Sequence, residues 1–377
     1  MSDAAVRART ALILPGAGAR SAYQVGAVKA LAELLPHTAP LPFGVLVGTS
    51  AGAILGAVLA SHAPRFRLGA ASLERVWRNF HIDQVIRVDP VSMLRMASHW
   101  LLALMSAGIL VPLPRSVFDS SPLRRLLARH VHFERIRHNL ERGWLTSLAV
   151  SASAYQSARS VAFFECAIDR PGWRRSWREG QRAELTLDHL MASAAVPFLF
   201  PPVAMGGEYY GDGAMRQVAP LSPAIHLGAD RLLVVTVRPP IGTPAAPATG
   251  PGPPALGQIF GFMLDTLFLD GLDTDLDRLY RDNLLAASGR AEALGLRVVR
   301  PLIISLSEDL GAIAARHAKL LPRTMRVLLR MLGASDTEGQ QLLSYLLFES
   351  AYTRQLIALG YADVRARSAE LSEFLAA

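Results

Sequence analysis

The chain has 377 residues, a length that fits one large α/β core or two average domains. A hydrophobic fraction of 51% against 19% charged residues predicts a large buried core, with apolar surface left over for lipid. The formal net charge of +8 favours anionic partners, either nucleic acid or an anionic membrane, and the single cysteine, Cys166, excludes an intrachain disulfide.

Apolar runs and helical patterns alternate over the first 60 residues. The runs at 11–14 and 43–47 are followed by helical patterns at 22–35 and 51–60. Strands that are apolar throughout are covered by helices on both faces, and strands joined through helices pair in parallel. We therefore predict an α/β fold, a three-layer α/β/α sandwich with a mostly parallel central sheet.

The rest of the chain divides into a core, a linker and a C-terminal region. Further apolar runs of strand length lie at 145–150, 161–167, 232–237 and 302–305. Residues 8–237 are predicted to form the core domain, with 65–142 as a mainly helical insertion over the sheet. The Pro/Gly-rich stretch 238–257 is typical of a flexible linker. Residues 258–377 are predicted to be mainly helical, with one strand packed on the core.

The segment 100–113 (WLLALMSAGILVPL) is the most apolar stretch of the chain. It is shorter than the roughly 20 residues of a membrane-spanning helix, which leaves a buried helix, or an interfacial or lid helix, as alternatives. Residues 1–10 lack the apolar region of a signal peptide. We expect a cytoplasmic protein in peripheral contact with the inner membrane face.

A candidate nucleophile lies in Gly48-Thr49-Ser50-Ala51-Gly52, which matches G-x-S-x-G. The pattern alone is frequent by chance, but here it joins a predicted strand to a predicted helix, as a nucleophile elbow requires. Gly48 and Gly52 relieve crowding in such a turn. The sequence therefore predicts Ser50 as the nucleophile.

A glycine-rich loop, Gly16-Ala17-Gly18-Ala19-Arg20, follows the first predicted strand. If the first two strands are neighbours, its N–H groups lie beside Ser50 and can bind the oxyanion of a tetrahedral intermediate. The alternative is a dinucleotide fingerprint. It is disfavoured because Ser21 replaces the third glycine and no acidic residue ends the second strand.

Asp212 is the candidate base. It lies in a Tyr-Gly-Asp-Gly-Ala stretch, where the small neighbours Gly213 and Ala214 let a carboxylate approach another loop closely. A partly desolvated carboxylate within hydrogen-bond reach can take a serine proton directly. An ordinary Asp-Gly turn is the alternative. No histidine occupies a strand-end loop, and no metal-ligand spacing occurs.

Four sequence blocks, in order along residues 11–237, resemble bacterial patatin-like phospholipases. They are GAGARSAYQVGAVKAL at 16–31, GTSAG at 48–52, MASAAVPFLFPPV at 191–203 and DGA at 212–214. The resemblance implies a Ser50–Asp212 dyad in place of a triad, a covalent acyl-enzyme and Gly16–Arg20 as the oxyanion hole. It also implies a phospholipid or related lipid ester as substrate, with no metal or cofactor.

Two positions depart from the resemblance. The family usually has glycine where Ala17 stands, and often where Ser21 stands. Backbone N–H groups form an oxyanion hole, so alanine serves if its φ angle is negative. A positive φ would cost about 1 kcal/mol and misalign the loop.

Arginines cluster between residues 123 and 143 and at 174–178. The first cluster predicts attraction to anionic head groups or a solvated helix face with Glu134 and Glu141 as ion-pair partners. No nucleic-acid motif supports a nucleic-acid partner.

Two other functions stay open: an α/β-hydrolase esterase whose triad uses His226 or His317, and a membrane-binding scaffold with weak catalysis.

Overall fold

The computed structural model describes residues 9–107, 109–239, 253–290, 295–333 and 339–376. In these ranges ten strands form one sheet: β1 Thr10–Leu14, β2 Val45–Thr49, β3 Ser147–Ala154, β4 Ser160–Cys166, β5 Trp173–Arg174, β6 Arg178–Arg182, β7 Val203–Met205, β8 Glu208–Asp212, β9 Arg231–Val235 and β10 Arg300–Ile304.

Fourteen α-helices fall in the same described ranges. They are α1 Ala22–Glu33, α2 Ala51–Ser61, α3 Phe66–Trp77, α4 Pro90–Met105, α5 Ser121–His130, α6 Phe133–Glu141, α7 Leu187–Ser193, α8 Ser222–His226, α9 Leu256–Leu285, α10 Leu310–His317, α11 Arg323–Met331, α12 Gln340–Leu346, α13 Ser350–Ala366 and α14 Ser368–Ala376.

The central sheet is mostly parallel, as predicted. Its strand order is β10-β9-β1-β2-β3-β4-β6-β5, and the five strands from β10 to β3 are parallel to their neighbours. Strand β4 runs antiparallel to β3, and the β7–β8 hairpin adds to β3 as well. Pro301 lies in the edge strand β10, where a missing N–H is tolerated.

The two faces of β1 belong to two separate hydrophobic cores. Leu12 and Leu14 pack in the core beneath α1, α2 and α13, whereas Ala11 and Ile13 pack in the core beneath α8 and the second half of α9. Helices therefore cover both faces of the sheet, which confirms the predicted three-layer α/β/α architecture.

Of the two alternatives for the segment 100–113, the buried helix is wrong. Helix α4 ends at Met105, and Leu101, Leu104 and Met105 are 60, 64 and 80% exposed. Along α4 only Ala103 is buried. Apolarity on every side of the segment does not distinguish burial against protein from exposure, so the sequence leaves both open. No described helix is long and apolar enough to cross a bilayer.

The predicted linker lies largely outside the described residues, which leave out 240–252. Its last two residues differ from the prediction, because α9 already begins at Leu256.

Candidate active site

Ser50 occupies a sharp turn between β2 and α2. Its backbone has φ 54° and ψ −127°, a region that non-glycine residues rarely enter and that costs of order 1–3 kcal/mol. Gly52 permits the turn, since a Cβ there would lie 1.9 Å from the Leu14 carbonyl oxygen. Gly48 is equally crowded, since a Cβ there would lie 2.4 Å from Ala53 Cα. Ser50 therefore lies on a strained strand-to-helix turn between two crowded glycines.

Strand β3 brings the ends of β2 and β8 together. Thr49 lies opposite Ser151, and Asp212 lies opposite Ala152, the next residue of β3. Strand β4 pairs with the opposite edge of β3 over the same residues. Strands β2 and β8 therefore pair with the same edge of β3. Ser50, which follows Thr49, and Asp212 therefore meet where the two strands end.

Asp212 is buried and 1% exposed. Its Oδ1 accepts a hydrogen bond from the Ala214 N–H at 2.9 Å, and its own N–H donates to the Ala195 carbonyl at 2.8 Å. Burial raises the pKa of Asp212 to about 7, although the Ser50 hydroxyl and the Ala214 N–H lower it in part. Oδ2 has no hydrogen-bond partner among the described residues.

Gly213 keeps the Asp212 turn close to β3. A Cβ at Gly213 would lie 2.3 Å from the Ser151 carbonyl oxygen. The small neighbour therefore does what the sequence suggests, which is to let the carboxylate approach another part of the chain closely.

The glycine-rich loop lies against Ser50. A Cβ at Gly16 would be 2.9 Å from Ser50 Cβ, and Gly18 has φ +54°. Ala17 has a negative φ of −157°, so the position does not need the left-handed conformation that favours glycine. The N–H groups of Ala17 and Gly18 donate to no acceptor among the described residues, whereas the Arg20 N–H donates to the Ala17 carbonyl at 3.1 Å.

Ala19 and Ser21 also lack the positive φ that would require glycine. Ala19 is buried in the 3₁₀ turn that starts at Gly18, and Ser21 has an ordinary helical φ of −63°. Neither departure from the family's glycines therefore distorts this loop.

The Arg20 side chain anchors this loop to the C-terminal helices. Its Nε donates to Ser344 Oγ at 2.7 Å, and its two Nη groups donate to Asp265 Oδ1 at 2.8 Å and Gln341 Oε1 at 2.7 Å. The guanidinium also lies 3.7 Å from the centroid of the Tyr345 ring, a cation–π contact. The sequence places Arg20 in the loop but gives no sign of these partners.

Ser193 is a site residue that sequence reasoning missed. The Ser50 N–H donates to its Oγ at 2.8 Å, and this bond holds the elbow from the side of α7. Ser193 is fully buried. The one signal in the sequence is its position in the 191–203 block, where nothing sets it apart from its neighbours.

An apolar pocket opens from Ser50 and is called here the nucleophile pocket. It encloses about 960 Å³ including its open mouth. Among the described lining residues, the polar side-chain atoms come from Ser50, Ser72, His130, Tyr345 and the indole N–H of Trp77. The apolar lining comes mainly from α2, α3, α5 and α9, with Ile54, Val58, Leu73, Val76, Trp77, Leu123, Leu127, Leu264 and Phe268.

The histidines considered for a triad lie elsewhere. His226 stacks on Trp173 with ring centroids 4.8 Å apart, and burial lowers its pKa to about 4. His317 Nε2 is 2.9 Å from Gln355 Oε1. His130 shares the pocket but, within the described ranges, no histidine is hydrogen-bonded to Ser50. The described residues also contain no cluster of metal ligands.

The arginine-rich segment pairs with acids outside itself. Arg124 and Arg137 form ion pairs of 2.7 Å with Asp188 and Glu184. Glu134 and Glu141, the predicted partners, form no ion pair with any described residue. The two arginines pair instead with acids at residues 184–188, which the fold brings close to them.

The fold and the site define a three-layer α/β/α protein with a serine elbow beside a buried carboxylate. The family model described as patatin-like phospholipase matches residues 12–225, more than half of the chain. This chain therefore belongs to the patatin-like phospholipase family.

Comparison with individual proteins adds little beyond the family. The crystal structure of VipD from Legionella pneumophila matches with a TM-score of 0.30 and 12% identity, covering 93% of this chain and 67% of that chain. No curated protein matches significantly.

Proposed function

We propose that the chain is a serine acyl hydrolase that cleaves fatty-acyl esters of phospholipids or related lipids. The observation that carries the proposal is the strained Ser50 elbow, which lies between a buried carboxylate and an apolar pocket. Strain at a single non-glycine residue is typical of sites where geometry serves chemistry.

In the first half-reaction Ser50 Oγ attacks the acyl carbonyl carbon while its proton passes to Asp212. A pKa near 7 suits this role, since the base is partly ionised at neutral pH and still holds a proton well. The oxyanion accepts hydrogen bonds from the N–H groups of Ala17 and Gly18. The alcohol then leaves with the proton from Asp212, and the acyl group stays on Ser50.

In the second half-reaction water replaces the alcohol. Asp212 takes a proton from water, whose oxygen attacks the acyl-enzyme carbonyl, and the proton returns to Ser50 as the fatty acid leaves. Every proton taken up is returned, so the Ser50–Asp212 dyad needs no histidine.

The pocket supports a fatty-acyl substrate. Beyond Ser50 its walls are mainly apolar side chains, and no carboxylate, lysine or arginine is among the described residues that line it. A hydrocarbon chain gains free energy in such a pocket, whereas a charged head group would lose its hydration there. The head group therefore stays outside, at the mouth.

Exposed apolar side chains support peripheral membrane contact. Helix α4 presents Leu94, Leu101, Leu104 and Met105 to solvent, and Ile109 beyond it is 86% exposed. Exposed apolar side chains on a chain of net charge +8 suit the interface of an anionic bilayer.

The test is active-site labelling. A fluorophosphonate should modify Ser50, and Ser50→Ala should abolish both labelling and release of fatty acid. Ser61→Ala, a buried serine at the end of α2, is the matched control and should label normally. Labelling at another residue, or esterase activity that survives in Ser50→Ala, refutes the proposal.

A second variant separates the dyad from a triad. Asp212→Asn should lower kcat by several orders of magnitude in a protein that still folds. His226→Ala and His317→Ala should keep near-normal rates. A large loss in either histidine variant with a small loss in Asp212→Asn would favour the triad instead.

A further inference from the structure

A second apolar pocket lies beside the nucleophile pocket. It encloses about 1220 Å³ including its open mouth. Four side chains line both pockets and form the wall between them: Val196, Leu199, Leu264 and Leu346. The two pockets are therefore neighbours that share these four residues as a common wall.

The described lining of the second pocket is apolar throughout. Its residues are valine, leucine, methionine, phenylalanine and proline, and none of these described residues carries a hydroxyl, amide or charged side chain. A polar head group or a peptide backbone would find no side-chain hydrogen-bond partner there. The pocket is therefore suited to bind a hydrocarbon chain.

The second pocket opens to solvent. Met215, three residues after Asp212 in the turn that follows it, is among the lining residues. Phe198 and Met263 also line it and are 64 and 43% exposed, so the pocket reaches solvent between them.

We propose that the second pocket binds the second acyl chain of a two-chain glycerolipid while the chain being cleaved lies in the nucleophile pocket. The inference rests on the proposed function. The two esters of such a lipid are on adjacent carbon atoms, so the second chain departs beside the first. Each CH₂ that moves from water into an apolar pocket strengthens binding about fourfold. The pair of pockets thus selects two-chain over one-chain lipids.

The test compares two water-soluble substrates, a phosphatidylcholine with two six-carbon chains and its lyso form with one. Met263→Trp should fill the mouth of the second pocket and lower the two-chain to one-chain ratio of kcat/KM at least tenfold. Phe262→Trp is the matched control, because Phe262 is 72% exposed and lines neither pocket. Its ratio should stay within twofold of the wild type.

A deeper variant guards against a fold defect. Leu328 lines the second pocket from α11, and its neighbour Val327 is 55% exposed and lines neither pocket. Leu328→Trp should lower the same ratio, and Val327→Trp should not. An unchanged ratio in folded Met263→Trp or Leu328→Trp overturns the inference.

A binding measurement separates this inference from the proposed function. Ether analogues of the two lipids cannot be hydrolysed. The two-chain ether should bind at least tenfold more tightly than the one-chain ether, and Met263→Trp should remove the difference. If that holds while Ser50-dependent hydrolysis is absent, only the proposed function fails. If the two ethers bind equally, the inference fails even where hydrolysis is present. Equal binding is also the outcome expected if a second copy of the protein fills the pocket.

Discussion

Arg20 Nη1 donates a hydrogen bond to Asp265 Oδ1 at 2.8 Å, and this ion pair ties the loop beside Ser50 to helix α9. The family match covers residues 12–225, so Arg20 lies inside the matched region and its partner Asp265 lies outside it. The Arg20 side chain is 4% exposed and that of Asp265 is 23% exposed. Loss of the carboxylate would leave a buried guanidinium charge without its counter-ion.

We expect Asp265→Ala to lower kcat at least tenfold and to reduce the free energy of unfolding by about 3 kcal/mol, as when one partner of a buried pair is removed. The shifted Arg20 would displace the Ala17 and Gly18 N–H groups. The loss should therefore appear in kcat more than in KM, measured well below the melting temperature.

Asp273→Ala is the matched control for that change. Asp273 is on the same helix and pairs with Arg238 at 2.6 Å, away from the glycine-rich loop. An equal effect of the two variants on kcat would mean that α9 contributes only to general stability.

Two glycines of α2 provide a paired test of the elbow. A Cβ at Gly52 would lie 1.9 Å from the Leu14 carbonyl oxygen, whereas one at Gly56 would lie 3.6 Å from Leu148 Cδ1. Gly52→Ala should therefore push α2 off β1, with little or no active folded protein. Gly56→Ala should keep activity and gain up to about 1 kcal/mol of stability, because alanine favours helix over glycine. Thermal melts and esterase rates check both. Comparable behaviour of the two variants would contradict a tight packing requirement at the elbow.

The elbow and the flanking helices could be predicted because their signals are local. The predicted helices at 22–35 and 51–60 correspond to α1 and α2, and the strand before Ser50 lies only two residues further along the chain than expected. The proximity of Asp212 to Ser50 depends on the pairing of β2 and β8 with β3, which no local pattern encodes.

Long-range partners explain the rest of what sequence reasoning missed. Arg20 and Asp265 are 245 positions apart, and no sequence motif links the two residues. The exposure of α4 is equally hidden, because exposed and buried leucines look the same in a sequence.

The raised pKa of Asp212 predicts the pH profile of the reaction. As the proposed base, Asp212 must be ionised to accept the Ser50 proton, and burial raises its pKa to about 7. We expect kcat/KM to rise about tenfold per pH unit below 7 and to level off above it. Initial rates on a soluble ester between pH 5 and pH 9 measure this. A profile that is flat from pH 5 to pH 8 would show that the base is another group.

The same raised pKa predicts a pH-dependent stability. The folded-state pKa of Asp212 lies above the value of about 3.9 in an unfolded chain, so the folded state holds this proton more tightly. The stabilisation is complete below pH 4 and is lost as the pH rises through 7.

The Asp212→Asn variant tests this, because asparagine carries no charge that must be buried. At pH 8 its free energy of unfolding should exceed that of the wild type by a few kcal/mol, because each tenfold change in proton affinity corresponds to about 1.4 kcal/mol. Urea titrations at pH 5 and pH 8 should give different gaps, and an equal gap would contradict the raised pKa.

Membrane contact through α4 predicts a change in vesicle binding. Leu104 is 64% exposed on α4, and Leu284, near the end of α9, is 73% exposed. Insertion of Leu104 into a bilayer would contribute about 1.5–3 kcal/mol, so Leu104→Glu should weaken partition into phosphatidylcholine–phosphatidylglycerol vesicles at least tenfold. Leu284→Glu makes the same change in charge and should stay within twofold of the wild type. Cosedimentation with vesicles measures both, and activity on a water-soluble ester should be equal in the two variants. If both lose binding equally, net charge dominates membrane attraction and α4 has no special part in it.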